Sequence, residues 1–436
     1  MAIFDIWLKK TDPSILQRHL KRLVTVKLIT IFARCVFCFL MLTSVASSQQ
    51  NATLETDTNL VPGETNSTPG AEQRMEERLE LAGDNRVELE KALNDAAEEH
   101  RKAVKFLIQH MRRADLESLS SEFILDTVRL AYQARESFPW ASQVPEEIFF
   151  NDVLPFANLD ERRESWRAKL LEICKPLVKD CKTTQEAAQA LNQHLFKTVK
   201  VKYSRKRKKA IQSPDESIEQ GLASCTGLSI LLVDACRSVG VPARLAGIAQ
   251  WTTKRGNHTW AEIWTDDGWH FTGAAEYDPK GLNRGWFVRD ASLADKTQRR
   301  HSILAVSFAR TDTTFPMVRS RDRENSVYAV NVTDRYTTAK ATKAKEDSIV
   351  VRVRVWNTGR SKRVKIPIEV QLVSDKSRLG QGKSRGDQDD LNDMFEIQLL
   401  PNTQYDILLG QGEGAKTHRI TTKATGSQLV EIEVEE

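Results

Sequence analysis

Apolar residues recur at intervals of three and four positions over much of the chain before residue 200. The stretches VELEKALNDAAEEHRKAVKFLIQHMRR and SEFILDTVRLAYQARE both have this spacing, which is typical of amphipathic α-helices. The stretches LDERRESWRAKLLEICKPLVKD and TTQEAAQALNQHLFKTV continue the pattern. We therefore predict a helical region over residues 76–180 and at least one further helix after it.

In the second half of the chain, apolar and polar residues alternate at every second position, as they do in strands. Residues 241–250, 258–264 and 269–273 are predicted to be consecutive antiparallel strands, and TDDGW supplies a hairpin turn. Six stretches within 340–436 alternate in the same way and indicate a β-sandwich, interpreted as an accessory domain. The predicted fold class is α+β, with a helical N-terminal region, a core with an antiparallel sheet at 181–310, and this C-terminal β-sandwich.

The first 75 residues have a different character. The basic segment 9–27 leads to an apolar run at 35–45, which is shorter than the roughly 20 residues of a membrane-spanning helix. Residues 1–46 are therefore predicted to be a signal peptide cleaved after the small residues SVA, with an uncleaved membrane anchor as the alternative. Residues 47–75 have too few apolar side chains to fold and are predicted to be a disordered linker. We expect an exported protein that is periplasmic, at the cell surface or secreted, with membrane attachment only through the N-terminal segment.

The charge balance and the motif content of the chain argue against some classes of function. The 64 basic and 59 acidic residues give a formal net charge of +5, too balanced to indicate nucleic-acid binding. The basic run at 200–210 is interpreted as a solvated surface loop. The CxxC spacing of Cys35 and Cys38 lies in the predicted signal segment, and the rest of the chain has no CxxC, HExxH or DxDxDG motif, so neither a cofactor nor a metal site is predicted. In an oxidising compartment Cys174 and Cys181 could form a disulfide, and the alternative is that both are buried thiols.

Two cysteines lie at the ends of the apolar stretch CTGLSILLVDACRSVG. Gly240 and Pro242 form a helix stop signal, so Cys225 is predicted in the first turn of a helix and Cys236 in its last turn. The two residues are then roughly 16 Å apart along the axis, too far for a disulfide. The positive N-terminal end of the helix stabilises a thiolate, whereas the C-terminal end disfavours one. Cys225 is therefore the candidate nucleophile, and Cys236 is a core residue.

A nucleophilic cysteine needs a neighbouring base. His258 and His270 lie on adjacent predicted strands, whereas the other histidines lie among surface charges or lack polar neighbours. His258 opens the strand NHTWAEIW within a tryptophan-rich segment that can exclude water. His258 is therefore the candidate base. His270 lies next to the turn, where a surface or substrate-contacting role is expected.

The stretch SCTGLSILLVDACRSVGVPARLAGIAQW, followed by NHTWAEIWTDDGWHF, resembles the core of the transglutaminase-like superfamily, of the type found in secreted bacterial proteins. The resemblance covers about residues 180–290 and is absent from the C-terminal block. It implies a papain-like arrangement in which a Cys–His–acid triad acts on amide bonds. Cys225 matches the nucleophile of the family and His258 its base. Arg244 matches the arginine of the GxPAR turn and is interpreted as a member of an ion pair near the helix end.

The third member of the triad departs from the family pattern. The family's aspartate follows the GW tryptophan by four residues, and this position is Gly273 here. Glu276 and Asp278 are the nearby acids, and either could orient the imidazole. We prefer Glu276 because it is closer to the strand, with Asp290 as a more distant candidate. The sequence also permits that no acid completes the triad.

The backbone N–H of Cys225 is the expected oxyanion-hole donor, and a second donor is sought in a side chain such as Gln193 or Tyr203. The predicted function is thiol-dependent hydrolysis of, or acyl transfer from, an amide bond of a protein or peptide through a thioester on Cys225. This corresponds to a transglutaminase-like cysteine peptidase, an amidase or a protein-glutamine acyltransferase, with hydrolysis preferred. The alternative is a catalytically inactive surface module that binds protein or polysaccharide.

Overall fold

The computed structural model describes residues 70–318, 320, 322–337 and 348–435. The predicted signal peptide or anchor lies outside these residues, as does the predicted linker up to residue 69. No helix in the described part of the chain has both the length and the apolar character that a bilayer span requires. The described residues form an α+β fold, as predicted.

The N-terminal helical region consists of α1 (Ala71–Leu81), α2 (Arg86–Asp95), α3 (Arg101–His110), α4 (Arg113–Leu116), α5 (Ser121–Ser137) and α6 (Glu146–Asp152). The first of these helices begins inside the segment predicted as linker. α3 shows why the sequence folds this way, because its buried residues Val104, Leu107 and Ile108 recur on one face. The Ser120 hydroxyl caps α5 by accepting a hydrogen bond from the backbone N–H of Phe123. These helices bury a common hydrophobic cluster.

The core adds α7 (Trp166–Cys174), α8 (Thr184–Thr198), α9 (Pro214–Gln220), α10 (Cys225–Ser238), α11 (Val288–Ala291) and α12 (Thr333–Thr337). α10 is buried along nearly its whole length, as its continuous apolar sequence requires. It ends where the sequence predicts, because Gly240 takes the left-handed conformation with a φ of 73°. The buried guanidinium of Arg237 donates to the backbone carbonyls of Asp152 and Ala243, which fixes the C-terminal end of α10 against α6.

A six-stranded antiparallel sheet packs against α10. Its strands are β3 (Ala243–Ile248), β4 (His258–Thr265), β5 (Gly268–Thr272), β6 (Ile303–Ser307), β7 (Thr313–Thr314) and β8 (Tyr328–Asn331). Their order is β5-β4-β3-β6-β8-β7. The three strands predicted from alternation are β3, β4 and β5, and Ile248 pairs with His258 at the start of β4. The sheet also extends past residue 310, which is the predicted C-terminal boundary of the core.

A separate two-stranded parallel ladder precedes α10. It consists of β1 (Lys202–Tyr203) and β2 (Leu222–Ala223), with Tyr203 paired to Ala223. β2 is followed directly by Ser224, the N-cap residue of α10, whose hydroxyl accepts from the backbone N–H of Gly227 at 3.0 Å. The ladder therefore fixes the position of the helix N-terminus.

The C-terminal block is a β-sandwich of two sheets, ordered β12-β9-β15 and β11-β10-β13-β14. The strands are β9 (Ile349–Asn357), β10 (Pro367–Leu372), β11 (Arg378–Lys383), β12 (Phe395–Leu399), β13 (Gln404–Leu409), β14 (Lys416–Thr421) and β15 (Ser427–Val434). Six of them correspond to the predicted stretches. The seventh strand, β11, is not predicted, because this exposed edge strand has the sequence RLGQGK and no apolar alternation. The loop between β11 and β12 contacts the core.

Candidate active site

An open cleft of about 820 Å³ lies between the core and the β-sandwich. Its lining includes Tyr203, Cys225, His258, Glu276, Trp286 and Asp390. The thiol of Cys225, the imidazole of His258 and the carboxylate of Asp390 approach one another so closely that one ligand atom from each lies within 4.8 Å of the others. The cleft thus combines the predicted nucleophile and base with an acid from the C-terminal domain.

Cys225 is the first residue of α10 and is half-buried. At this position its backbone N–H has no acceptor within the helix and is available to a ligand. The residues after Cys225 and His258 are joined directly, since the hydroxyl oxygens of Thr226 and Thr259 are 3.1 Å apart. Ser229 also donates to the backbone carbonyl of Thr259. These bonds hold the start of α10 against the start of β4 and so bring the thiol to the imidazole.

His258 is the first residue of β4 and is 1% exposed. Its ring is enclosed by aromatic side chains, with ring centroids at 4.7 Å for Trp286, 5.0 Å for Phe287 and 5.7 Å for Trp260. This surrounding excludes water, and electrostatic interactions with the imidazole are correspondingly stronger than in solvent. The tryptophan-rich segment therefore shields the His258 imidazole from solvent.

Asp390 is the acid that the structure brings to the imidazole. Its Oδ2 atom is 3.6 Å from Nδ1 of His258, and both side chains are buried. Its Oδ1 atom accepts from the backbone N–H of Asn392 at 2.8 Å and from the Asn392 side-chain amide at 3.1 Å. With one oxygen held in this way, the other faces the histidine.

The electrostatics of this pair favour an imidazolium. Burial alone lowers the pKa of His258, but Asp390 and the Cys225 thiol outweigh burial and raise that pKa to about 10. Burial raises the pKa of Asp390, but His258 and the Asn392 N–H groups outweigh it and hold that pKa below its ordinary value. A protonated His258 beside an ionised Asp390 is thus stable over the neutral pH range.

Three successive residues of the β11–β12 loop each contact a different part of the site. Asp390 faces His258, and the backbone N–H of Leu391 donates to the Tyr203 hydroxyl at 3.1 Å. The side-chain amide of Asn392 donates to the backbone carbonyl of Asn257, the residue before His258, at 2.8 Å. The β-sandwich, predicted as an accessory domain, therefore contributes directly to the site.

A buried ion-pair network joins the β-sandwich to the core below this loop. Lys254 Nζ is 2.7 Å from Asp290 Oδ2 and donates to the backbone carbonyl of Asn392 at 3.0 Å. Arg352 of β9 lies 2.5 Å from Glu396 and 3.3 Å from Asp290. Asp290, the distant candidate for the triad, is thus engaged by cations of the domain interface. Its removal would leave Glu396 as the acidic partner of both buried cations, which is costly.

Glu276, the preferred third member in the sequence analysis, lies elsewhere around the histidine. Its Oε1 atom accepts from Trp286 Nε1 at 3.0 Å, and its buried Oε2 atom has no hydrogen-bond partner among the described residues. A Cβ added to Gly273 would lie 2.0 Å from Oε2, so this carboxyl occupies the space beside the family's acid position. Burial raises the pKa of Glu276 to about 7, although the charge of His258 opposes the rise. The geometry favours Asp390 over Glu276 as the acid that orients His258.

The other candidate residues form ion pairs or contacts with residues other than His258. The ion pairs are Arg244 with Glu262 at 2.9 Å, Asp278 with Arg284 at 2.8 Å, and His270 with Asp267 at 2.9 Å. Arg244 therefore forms the predicted ion pair, with a partner on β4, and also lies 3.8 Å from the ring centroid of Trp269. Gln193 is exposed on α8 and is not among the residues that line the cleft, whereas Tyr203 lines it.

The remaining described cysteines are free thiols, so the alternative without a Cys174–Cys181 disulfide applies. Burial raises the pKa of Cys174 to about 12 and also raises that of Cys236, so both are held as unreactive thiols. Cys181 is half-buried, and its pKa is raised by burial and nearby acids. Cys225 is thus the thiol of the described chain that faces a base.

The three groups of the site are also metal-ligand types. A thiolate, an imidazole and a carboxylate within this distance of one another could hold a zinc ion. This set has no motif in the sequence, because Asp390 is remote in sequence from Cys225 and His258. Among the described residues, this is the group of metal-binding side chains that meets in space.

The buried carboxyl of Glu276 predicts a pH-dependent stability. Its pKa is raised from the ordinary 4.5 to about 7. The stabilisation from the protonated form is therefore complete below pH 4.5 and is lost as the pH rises through 7. Because Gln does not titrate, the free energy of unfolding of Glu276→Gln relative to the unmodified protein should rise by up to about 3 kcal/mol between pH 4 and pH 8. Urea unfolding at both pH values measures this difference, and a difference independent of pH would contradict the assignment.

A family model matches the part of the chain that contains Cys225 and His258. Residues 172–273 match the model of the Transglutaminase-like superfamily. No curated protein sequence shows significant similarity to this chain.

Solved structures give only distant similarities. A candidate cysteine protease from Cytophaga hutchinsonii is 17% identical with a TM-score of 0.26, and the match covers 34% of this chain and 50% of that one. A candidate protease from Parabacteroides distasonis is 7% identical with a TM-score of 0.24, covering 57% and 36%. Red sea bream transglutaminase is 10% identical with a TM-score of 0.25, covering 59% and 58%. This chain therefore spans between about a third and three fifths of the length of these proteins. On the evidence of the family match, the chain contains a transglutaminase-like domain at residues 172–273.

Proposed function

We propose that this protein is a thiol-dependent enzyme that cleaves an amide bond of a protein or peptide through a thioester on Cys225. The observation that carries the proposal is the convergence of Cys225, His258 and Asp390 within 4.8 Å in an open cleft. A thiol at a helix N-terminus beside an imidazolium is the arrangement that stabilises a thiolate nucleophile. The match of residues 172–273 to the superfamily supports the same chemistry.

In the proposed reaction, the Cys225 thiolate attacks the amide carbonyl carbon and forms a C–S bond. The imidazolium of His258 then donates its proton to the nitrogen of the leaving amine, and the C–N bond breaks to give the thioester. Neutral His258 accepts a proton from water, which attacks the thioester and regenerates the thiolate and the imidazolium. Asp390 holds the imidazole in orientation and stabilises its charged form in both steps.

We propose hydrolysis as the main outcome, with transfer to an amine as the variant reaction. The two differ only in the group that attacks the thioester, water or an amine. Product analysis with and without an added primary amine, such as methylamine, distinguishes them by mass. A methylamide product would show that transfer competes with hydrolysis.

The test of this function is the rate at which iodoacetamide alkylates Cys225, followed by mass spectrometry over pH 5–10. Cys225 should react on the order of 10²-fold faster than buried Cys236 at pH 6, because it lies beside the His258 imidazole in an open cleft. In His258→Ala the rate at pH 6 should fall towards that of an ordinary thiol, while the rates near pH 10 converge. Half-buried Cys181 is the internal control. A Cys225 that reacts no faster than Cys181 would instead favour a catalytically inactive binding module.

A further inference from the structure

We propose that Lys254 is a positioning residue, which holds the β11–β12 loop and the indole of Trp286 against His258 without touching substrate. This inference rests on the proposed function at Cys225. The observation that carries it is that one buried ammonium contacts both the loop that bears Asp390 and the aromatic ring beside the imidazole. Lys254 is not among the residues that line the cleft, so it acts on the reaction through these neighbours.

The side chain of Lys254 is buried at the interface between the core and the β-sandwich. It belongs to the β3–β4 loop, four residues before His258, and is 7% exposed. A lysine is rarely buried unless its charge is paired, because removing an ammonium from water is costly. Asp290 Oδ2 pairs with Nζ at 2.7 Å, and Oδ1 of the same carboxylate accepts from the Thr253 hydroxyl at 2.6 Å. The ammonium is therefore held in one position.

One hydrogen bond of this ammonium leads to the acid of the site. Nζ donates to the backbone carbonyl of Asn392 at 3.0 Å. The backbone N–H of Asn392 donates in turn to Oδ1 of Asp390 at 2.8 Å, while Oδ2 faces His258. Gly256 makes this close approach possible, because it has a φ of 105° and an added Cβ would lie 2.2 Å from Asn392 Oδ1. A single residue thus connects the ammonium to the carboxylate beside the imidazole.

The same ammonium contacts the aromatic side chains around His258. Nζ lies 4.9 Å from the ring centroid of Trp286 and 5.5 Å from that of Trp251, within the range of cation–π attraction. The ring centroids of these two residues are 4.7 Å and 6.3 Å from that of His258. Lys254 therefore acts on the imidazole from two directions, through the acidic loop and through the indole rings.

The charge of Lys254 matters as well as its size. Burial raises the pKa of Asp290, but its cationic neighbours, first of all Lys254, hold that pKa below its ordinary value. The pair therefore stays ionised at neutral pH. A neutral methionine in place of Lys254 would leave the Asn392 carbonyl without this donor, and the loop could relax away from His258. A displacement of about 1 Å in a catalytic group can cost about 10²-fold in rate.

The test is a double-mutant cycle between Lys254→Met and Asp390→Asn, with alkylation of Cys225 by iodoacetamide at pH 6 as the readout. Lys254→Met alone should lower kcat for 4-nitrophenyl acetate by about 10–100-fold, as loss of a supporting contact does, and slow alkylation about tenfold. KM should stay within about threefold, because no contact to substrate is lost. In Asp390→Asn protein the same substitution should slow alkylation by less than about threefold, because the positioned group is already altered.

Arg352→Met is the matched control. Arg352 is a buried cation of the same interface, and its polar contacts among the described residues are with Thr253, Asp290 and Glu396. This variant should lower the free energy of unfolding in urea by an amount similar to that of Lys254→Met, since both leave buried acids with fewer partners. Its kcat and its alkylation rate should nevertheless stay within about threefold of the unmodified values.

Two results would overturn the positioning role of Lys254. One is an alkylation loss in Lys254→Met that is undiminished in Asp390→Asn protein, and the other is an equal loss in Arg352→Met. Lys254→Gln, which keeps an N–H donor without the charge, enters the same cycle if Lys254→Met does not fold, and a loss that also depends on Asp390 is expected. If Cys225 of the unmodified protein reacts no faster than Cys181, the proposed function fails, and this inference falls with it.

Discussion

Replacing Cys225 by alanine is expected to reduce amide or ester turnover to the background rate. In the proposed mechanism the thiolate forms the covalent bond to substrate. No other described cysteine can replace it, because Cys174 and Cys236 are buried in the core and Cys181 lies outside the cleft. Loss of a nucleophile that acts together with its base lowers kcat on the order of 10⁶-fold in hydrolases of this type. Steady-state turnover of 4-nitrophenyl acetate, with the uncatalysed rate subtracted, measures the effect.

Cys181→Ala is the control for this substitution. It removes a half-buried thiol outside the cleft and should retain full turnover. Thermal unfolding of both variants checks that each is folded. Cys225→Ala is expected to fold, because Cys225 is the first residue of a capped helix and Ala is a good helix former. If Cys225→Ala keeps most of the turnover, the thioester mechanism is wrong, whatever the fold.

Asp390→Asn is expected to lower kcat by about 10⁴-fold, the effect of replacing the orienting carboxylate of a triad by an amide. Asn preserves the shape of the side chain but removes the charge that stabilises the His258 imidazolium. It also presents an N–H donor where the histidine needs an acceptor. Because the loss comes from base function, the alkylation rate of Cys225 at pH 6 should fall as well.

Two comparisons make this prediction specific. Asp387→Asn causes the same change of charge in the same loop, but Asp387 accepts from the backbone N–H of Arg363 and does not face the cleft. This variant should stay within about threefold of the unmodified kcat. Glu276→Gln tests the acid preferred from the sequence and should cost far less than Asp390→Asn. If Glu276→Gln causes the larger loss, the sequence-based assignment of the third residue is correct and Asp390 is not the orienting acid.

The third group joins the core and the β-sandwich at one candidate site. The core supplies Cys225 and His258, while the loop before β12 supplies Asp390. Gly273, at the position where the family carries its acid, has no side chain, and the Glu276 carboxyl fills the space beside it. The acid that faces His258 comes instead from the β-sandwich, beside the buried ion pairs of Lys254 and Arg352.

The sequence alone determined the parts of the site that local patterns encode. An apolar run that ends at Gly240 defines a helix beginning at Cys225, and alternation after Asn257 defines a strand beginning at His258. Helical and strand periodicity depend on neighbours in sequence, and the helix dipole follows from the helix itself. The positions of the candidate nucleophile and base, and the α+β class, were therefore predictable from single stretches of the chain.

Only the tertiary structure decided which acid meets the histidine. The segment GDQDDLND has no apolar periodicity, and nothing within it distinguishes Asp390 from its acidic neighbours. What selects Asp390 is the docking of the β-sandwich, through Asn392 on Asn257 and Leu391 on Tyr203. These contacts join residues far apart in sequence, and their geometry depends on how two separately packed cores meet. A local pattern carries no information about that docking, because it arises from packing and buried ion pairs between domains.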